Sequence, residues 1–162
     1  MVLDLKRIFS GLESERAFAY SPDMSGLEID GLFPLPVSLS GRVVSRSGLI
    51  SLDYEVSFLF RTACFRCAEA FEEEYRFSFH HLLVTALDGE DEDGYIVVEN
   101  EVLDLDEVAY TDILLELPAK YLCTPDCKGI CPQCGKNLND GVCGCRREDI
   151  DPRLEALKQL LD

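Results

Sequence analysis

The sequence has no tryptophan, only two histidines, and about half as many basic residues as acidic ones, 15 Lys and Arg against 31 Asp and Glu in 162 residues. Each shortage excludes something. Affinity for nucleic acid comes largely from Lys and Arg neutralising phosphates, so in a chain with a net charge of −16 the acidic part is a poor docking surface for bare RNA. His80 and His81 are adjacent in a strand-like stretch and face opposite sides, which reads as one packed and one surface residue, not a ligand or base. The longest apolar runs, YIVV and LLEL, fall far short of the roughly 20 residues that span a bilayer. The start, MVLDLKRIFSGLESER, lacks the basic, apolar and small-residue segments of a secretory signal. A soluble, cytoplasmic protein is expected. There is no Gly-rich phosphate loop, no nucleophile elbow and no acid–base constellation, so no catalytic residues are assigned and no small-molecule substrate is expected.

What is present is enough for a core: 47% of residues are hydrophobic, and the length fits one domain, or one plus a small appendage. The charge is unevenly spread. Up to Pro118 there are 8 basic and 24 acidic residues, a net −16, whereas from Ala119 onward there are 7 of each. An acidic domain at 1–118 and a neutral lobe at 119–162 are expected. Long-range attraction would suit the acidic part to a basic partner, such as a ribosomal protein. In the lobe, Lys128, Lys136, Arg146 and Arg147 lie among the cysteines and offer phosphate contacts. No aromatic follows Tyr121, so base stacking is not expected there.

Between Phe33 and Leu87 apolar residues recur with a period close to two. Val37, Leu39 and Val43 alternate with polar neighbours, then Ile50, Leu52, Tyr54, Val56, Phe58 and Phe60 take every second place. Phe71, Tyr75, Phe77 and Phe79 resume the pattern, with Glu73 interrupting it. Such alternation predicts half-buried antiparallel strands, with a turn at Ser45–Gly48 and a reversal at Cys64–Cys67. The acidic stretch at 88–94 predicts a loop, and Tyr95–Val98 another strand. Asp104 or Asp106 can cap a helix running to about Leu117, with Val108, Ala109, Ile113, Leu114 and Leu117 on or near its buried face and Pro118 ending it. Asp151-Pro152 opens a final helix with Leu154, Leu157, Leu160 and Leu161 as its stripe. Before Phe33 the pattern is weaker, and Leu3, Leu5 and Ile8 fit a strand or a short helix.

Eight cysteines fall into four close pairs: Cys64/Cys67, Cys123/Cys127, Cys131/Cys134 and Cys143/Cys145. In a reducing compartment such pairs favour thiolates on a metal over disulfides, and structural zinc takes four. Cys131-Pro-Gln-Cys134-Gly135 has the residues of a tight ligand turn, and Asn139-Asp140-Gly141 can return Cys143 and Cys145 beside it. Cys64, Cys67, Cys123 and Cys127 would then form a second site joining sheet to tail. Two alternatives stand beside this two-zinc partition. Cys123, Cys127, Cys131 and Cys134 can share one metal, leaving Cys64/Cys67 to Cys143/Cys145; or one zinc is bound and some thiols remain free. Cys64-Phe-Arg-Cys67 can also be read as a redox pair in which Arg66 lowers a thiol pKa, although its setting is a sheet and not the strand–turn–helix of thioredoxin-like motifs.

The stretch from Cys127 to Asn139 (CKGICPQCGKNLN), followed by Cys143-Gly-Cys145 and Asp151-Pro152-Arg153-Leu154, resembles the YceD family, the large ribosomal RNA subunit accumulation proteins. Cys64-Phe-Arg-Cys67 after a strand pair and Leu117-Pro118 after an acidic helix fit the same family. The resemblance implies a bacterial cytoplasmic factor for synthesis, processing or stability of large-subunit ribosomal RNA, with a ribosomal protein or assembly intermediate as partner. Some members keep the first CxxC and a later Cys or His pair without the ribbon. That favours Cys64/Cys67 with Cys123/Cys127, the other four being an added site. The expected class is α+β: an antiparallel twisted sheet or partial barrel, a packing helix, a zinc-stapled C-terminal lobe and a terminal helix.

Overall fold

A computed structural model describes residues 1–24, 31–86 and 94–145. Its framework is set by the alternation. Strand β4 (Leu49–Ala63) buries every even position from Ile50 to Thr62 and leaves the odd ones exposed or half-exposed. Because side chains alternate across a strand with a period of two, this one run fixes a buried and a solvent-facing side for the whole sheet. β3 (Ser38–Arg46) pairs with β4 through a two-residue turn, Ser47-Gly48, where φ is 52° and 85°. Positive φ at both central positions is the turn whose twist matches a hairpin, and glycine adopts it without steric cost. β5 (Ala70–Val84) returns antiparallel after the Cys64–Cys67 reversal and continues through Glu73 without a break in register.

The sheet is completed by β2 (Glu15–Tyr20), antiparallel on β3, and β6 (Tyr95–Val97), so its order is β2-β3-β4-β5-β6. β6 runs parallel to β5, so the sheet is mixed at that end. It is open: among the described residues no strand joins β6 back to β2. At the N-terminus both expectations for Leu3, Leu5 and Ile8 are met in succession. β1 (Val2–Asp4) pairs with β7 (Val102–Asp104) in a separate two-stranded sheet, and α1 (Lys6–Phe9) follows.

Helix α2 (Leu105–Glu116) starts where the Asp104 carboxylate accepts the Asp106 amide at 3.0 Å, a side-chain cap worth about 1 kcal/mol. It ends before Pro118, with Leu117 extended as a residue preceding proline prefers. The inner face of the sheet, α1 and α2 enclose the core, in which Leu5, Leu52, Val56, Phe60, Ala109 and Ile113 are all at most 1% exposed. Burying a side chain such as Phe60 stabilises by about 1.5–3 kcal/mol.

Two details of α2 depart from the expected stripe. Leu114 is 47% exposed, and Asp112 is buried in its stead. The Asp112 carboxylate accepts from the Tyr54 hydroxyl and meets His81 Nε2 at 2.6 Å. A buried carboxylate costs little only when its lone pairs are occupied, and the sheet supplies both partners. His81 is thus the packed histidine, and exposed His80 pairs with Asp53 at 2.6 Å. That contact holds the Asp53 carboxyl below its ordinary 3.8. No described helix is long and apolar enough to cross a membrane. The loop expected at 88–94, apart from Gly94, and the final helix expected from Asp151 lie outside the described residues, as do Arg146 and Arg147.

Candidate metal centres

The eight cysteines gather into two groups, Cys64/Cys67/Cys123/Cys127 and Cys131/Cys134/Cys143/Cys145, with the sulfurs of each group within 4.8 Å of one another. Local backbone explains how each CxxC is shaped. In the first, the Ala68 amide donates to the Cys64 carbonyl at 2.8 Å and the Cys64 amide to the Glu69 carbonyl at 2.9 Å. The second repeats the pattern one for one: the Gly135 amide donates to the Cys131 carbonyl and the Cys131 amide to the Lys136 carbonyl, each at 2.8 Å. The residue after the second cysteine has φ 71° at Gly135 and 60° at Ala68. Glycine reaches that region freely, and alanine does so at a cost of about 1–2 kcal/mol.

Tertiary contacts then bring the pairs together. Tyr121 packs on Phe60 with ring centroids 5.3 Å apart, and its carbonyl accepts the Phe65 amide at 2.8 Å. This anchors the start of the tail beside the strand reversal. Arg66 Nη1 donates to the Cys127 carbonyl at 2.9 Å, and the Arg66 carbonyl accepts the Ile130 amide at 3.1 Å. Sequence reasoning gave Arg66 a different task, lowering a thiol pKa through its charge. Burial works to raise the Cys64 thiol, but the backbone amides of Cys123, Cys67 and Arg66 outweigh it and draw it down to about 6. The guanidinium itself is turned to a backbone carbonyl. The Cys67 thiol moves the other way, to about 12: the Glu69 amide favours its thiolate, yet burial and the neighbouring thiols prevail. In the second group the amides of Cys134 and Gln133 draw Cys131 down to about 6, while Cys134, then burial, push Cys145 up to about 12.

Four thiols this close cannot all ionise without a cation among them. The spacing suits one. A tetrahedral ion with sulfurs at about 2.3 Å puts them about 3.8 Å apart along the edges, and Cys64–Cys127 and Cys67–Cys123 are separated by 3.7 and 3.6 Å. Those separations are far beyond a disulfide bond of about 2.05 Å, and all eight cysteines are free. Each tetrad can therefore hold a metal ion with no position left for water.

Asn139 is the residue that sequence reasoning missed as a contributor, having used it only as part of a reversal. Its Nδ2 donates to Cys127 Sγ at 3.3 Å, and its Oδ1 accepts the Lys128 amide at 2.8 Å. Asn139 belongs to the turn at Leu138–Asp140, between the two cysteine pairs of the second group, so it carries that group's loop into the first group's shell. The Asn137 cap on the Asn139 amide, at 3.0 Å, holds the loop in place. The available signal was the Asn-Leu-Asn spacing, characteristic of side-chain caps on short turns.

Comparison with known proteins gives these residues their context. The family model described as "Large ribosomal RNA subunit accumulation protein YceD" matches residues 52–161. YlbN of Bacillus subtilis is 32% identical over 133 residues, covering 78% of this chain and 74% of YlbN. An uncharacterized Mycobacterium tuberculosis protein is 44% identical over 72 residues, covering 44% of this chain, and the matched stretch spans a third (33%) of that protein's length. The chloroplastic large ribosomal RNA subunit accumulation protein YCED homolog 1 of Arabidopsis thaliana is 28% identical over 180 residues, covering 92% of this chain and 56% of that protein. No solved structure matches the chain. With a family model spanning more than half of its residues and a relative matched over most of both lengths, the chain belongs to the YceD family of large ribosomal RNA subunit accumulation proteins.

Proposed function

We propose that this protein supports the accumulation of large-subunit ribosomal RNA in the cytoplasm without catalysing a reaction, by holding a basic ribosomal protein or an assembly intermediate. The observation that carries the reading is the charge division. All of the net −16 lies before Ala119, in the part of the chain that supplies the sheet, the helices and their connecting loops, while the stretch from Ala119 is neutral and its described residues fold around two cysteine tetrads. An acidic surface on a fixed scaffold attracts a basic partner over long range and sets its orientation. The two tetrads act in this reading as structural zinc sites, the first joining the 1–118 and 119–162 parts and the second shaping the lobe. Lys128 and Lys136, exposed on that lobe, would lie against the particle's RNA.

The test is co-sedimentation of the purified, metal-loaded protein with large-subunit precursors across a salt series, and binding to isolated ribosomal proteins at low ionic strength. Association that weakens steeply as salt rises is expected; no association, or one indifferent to salt, would overturn the reading. The competing reading is a thiol–disulfide redox protein using Cys64 and Cys67. Alkylation separates the two: thiols protected until a chelator is added support the structural sites, and a freely reactive Cys64 supports redox chemistry.

A further inference from the structure

Among the described residues, one long side of strand β5 has no strand paired to it. β6 pairs with it only from Leu82 to Val84, so among the described residues no strand lies along the outer side of β5 between Ala70 and His81. Hydrogen-bond phase shows which groups are left over, because alternate residue pairs of an antiparallel ladder exchange bonds. The β4–β5 register leads to Cys64 opposite Glu69, where the amide of Cys64 donates to the carbonyl of Glu69 at 2.9 Å. In steps of two, the residues of β5 that bond to β4 are Phe71, Glu73, Tyr75, Phe77 and Phe79. Two other contacts agree. Arg61, at an odd position of β4, bonds away from β5, exchanging 2.8 Å bonds with Leu32; Val84, at an even position of β5, accepts from Val98 on the outer side at 2.7 Å. Glu72, Glu74, Arg76, Ser78 and His80 therefore direct their backbone N–H and C=O groups outward, along about 30 Å of edge.

Edges of this length are ordinarily blunted by proline, a bulge or charged side chains. Of these β5 has only charge, at Glu72, Glu73, Glu74 and Arg76, which turns away an acidic partner and not a basic one. β5 contains no proline, and its register with β4 is unbroken. On its inner face Tyr75, Phe77 and Phe79 form a half-buried row with ring centroids 5.7 and 6.2 Å apart, as they would if one more strand were meant to cover them. At one end Glu72, Glu73 and Glu74 put three carboxylates in succession, of which Glu72 is ion-paired with Arg61 on β4. With −16 on each chain, a second copy is repelled from this edge, while a cationic segment is drawn to it.

We propose that the outer edge of β5 is a docking strand, to which an extended basic segment of a ribosomal protein adds as a further strand, its alternate apolar side chains covering the Tyr75–Phe79 row. Main-chain bonds supply the affinity and the two faces supply selectivity, the logic of strand addition. The proposal deepens the partner-binding reading above and rests on it for the identity of the partner, but not for the existence of the edge.

Amide exchange followed by NMR tests it on the full chain. In the free protein the amides of Glu72, Glu74, Arg76, Ser78 and His80 should exchange fast, while those of Glu73, Tyr75, Phe77 and Phe79 are slow. A twelve-residue peptide alternating lysine and valine should slow the first set at least tenfold, and its fully N-methylated counterpart should not. Ser78→Pro removes an outward donor and leaves the β4 ladder whole, so peptide affinity should fall about tenfold while the second set stays slow. Glu73→Gln with Glu74→Gln should weaken binding and flatten its salt dependence. Even-position amides already slow in the free protein, or slowed only by dimerisation, would overturn the proposal by giving the edge to the chain itself or to a second copy. Isolated large-subunit ribosomal proteins separate the two readings. Binding that leaves the β5 edge unprotected sinks the docking strand and spares the function, whereas edge protection by the peptide with no ribosomal protein bound does the reverse.

Discussion

At the scale of single residues, the candidate metal centres are shaped by side chains that touch a sulfur and not only by the sulfurs. Asn139 donates to Cys127 Sγ, and that contact is the first cause of the lowered Cys127 thiol. A donor to a ligating atom fixes its orientation, and losing one typically costs 10–100-fold in metal affinity. Asn139→Ala should therefore weaken the first site by roughly that factor, read by chelator competition, with the second site retained. Ala68 offers the opposite case. It occupies the place in the first CxxC turn that Gly135 occupies in the second, at φ 60°. Ala68→Gly should leave metal content unchanged and raise stability by about 0.5–1 kcal/mol, measured by urea unfolding of the metal-loaded protein. Destabilisation would mean that the alanine methyl makes packing contacts outweighing its backbone strain.

At the scale of elements, α2 is held to the sheet by more than its apolar stripe. Asp112 joins Tyr54 on β4 and His81 on β5, and burial, followed by the nearby carboxylate, raises the Tyr54 phenol well above its ordinary value of 10. Tyr54 is thus a hydrogen-bond donor throughout the working pH range. Asp112→Ala leaves that hydroxyl and the His81 ring facing a void, and should cost about 1–3 kcal/mol, seen as a lower urea midpoint with an unchanged slope. Leu114→Ala, on the exposed face of the same helix, should cost well under 1 kcal/mol, although its apolar character alone placed it in the core. An 11- or 12-residue helix carries its pattern at a resolution of one position in four, and a buried aspartate is invisible to any hydrophobic count.

At the scale of the whole molecule, the first cysteine tetrad joins positions 64–67 to positions 123–127, closing a loop of about sixty residues that includes β5, β6, β7 and α2. Binding an ion there is linked to folding. The purified, reduced protein should contain two zinc ions per chain by elemental mass spectrometry, and the Cys64→Ser/Cys67→Ser variant one. One zinc unaffected by the double substitution would leave Cys64 and Cys67 as free thiols. Chelation should loosen the tail from the sheet before the sheet unfolds, since Phe60, Val56 and Leu52 are packed independently of any sulfur. Far-UV circular dichroism kept, with the Tyr121 environment changed, is the expected signature.

The sequence by itself determined whatever repeats locally. The even positions of β4, the Ser47-Gly48 turn, the Asp104 cap and the four cysteine pairs can each be read because neighbours within a few residues dictate them. The cysteine pairs could be recognised as candidate ligands, and resemblance to a family favoured one partition, but spacing alone left three open. Tertiary structure decided the rest. Tyr121 on Phe60 and the Arg66 contact to Cys127 select the partners of Cys64 and Cys67, β6 pairs with β5 only at Leu82–Val84 so that no other described strand lies on that edge, and the fold of the sheet provides Asp112 with its two partners. These are contacts between residues tens of positions apart. Their free energy depends on which surfaces meet, and a local pattern fixes only what each surface offers.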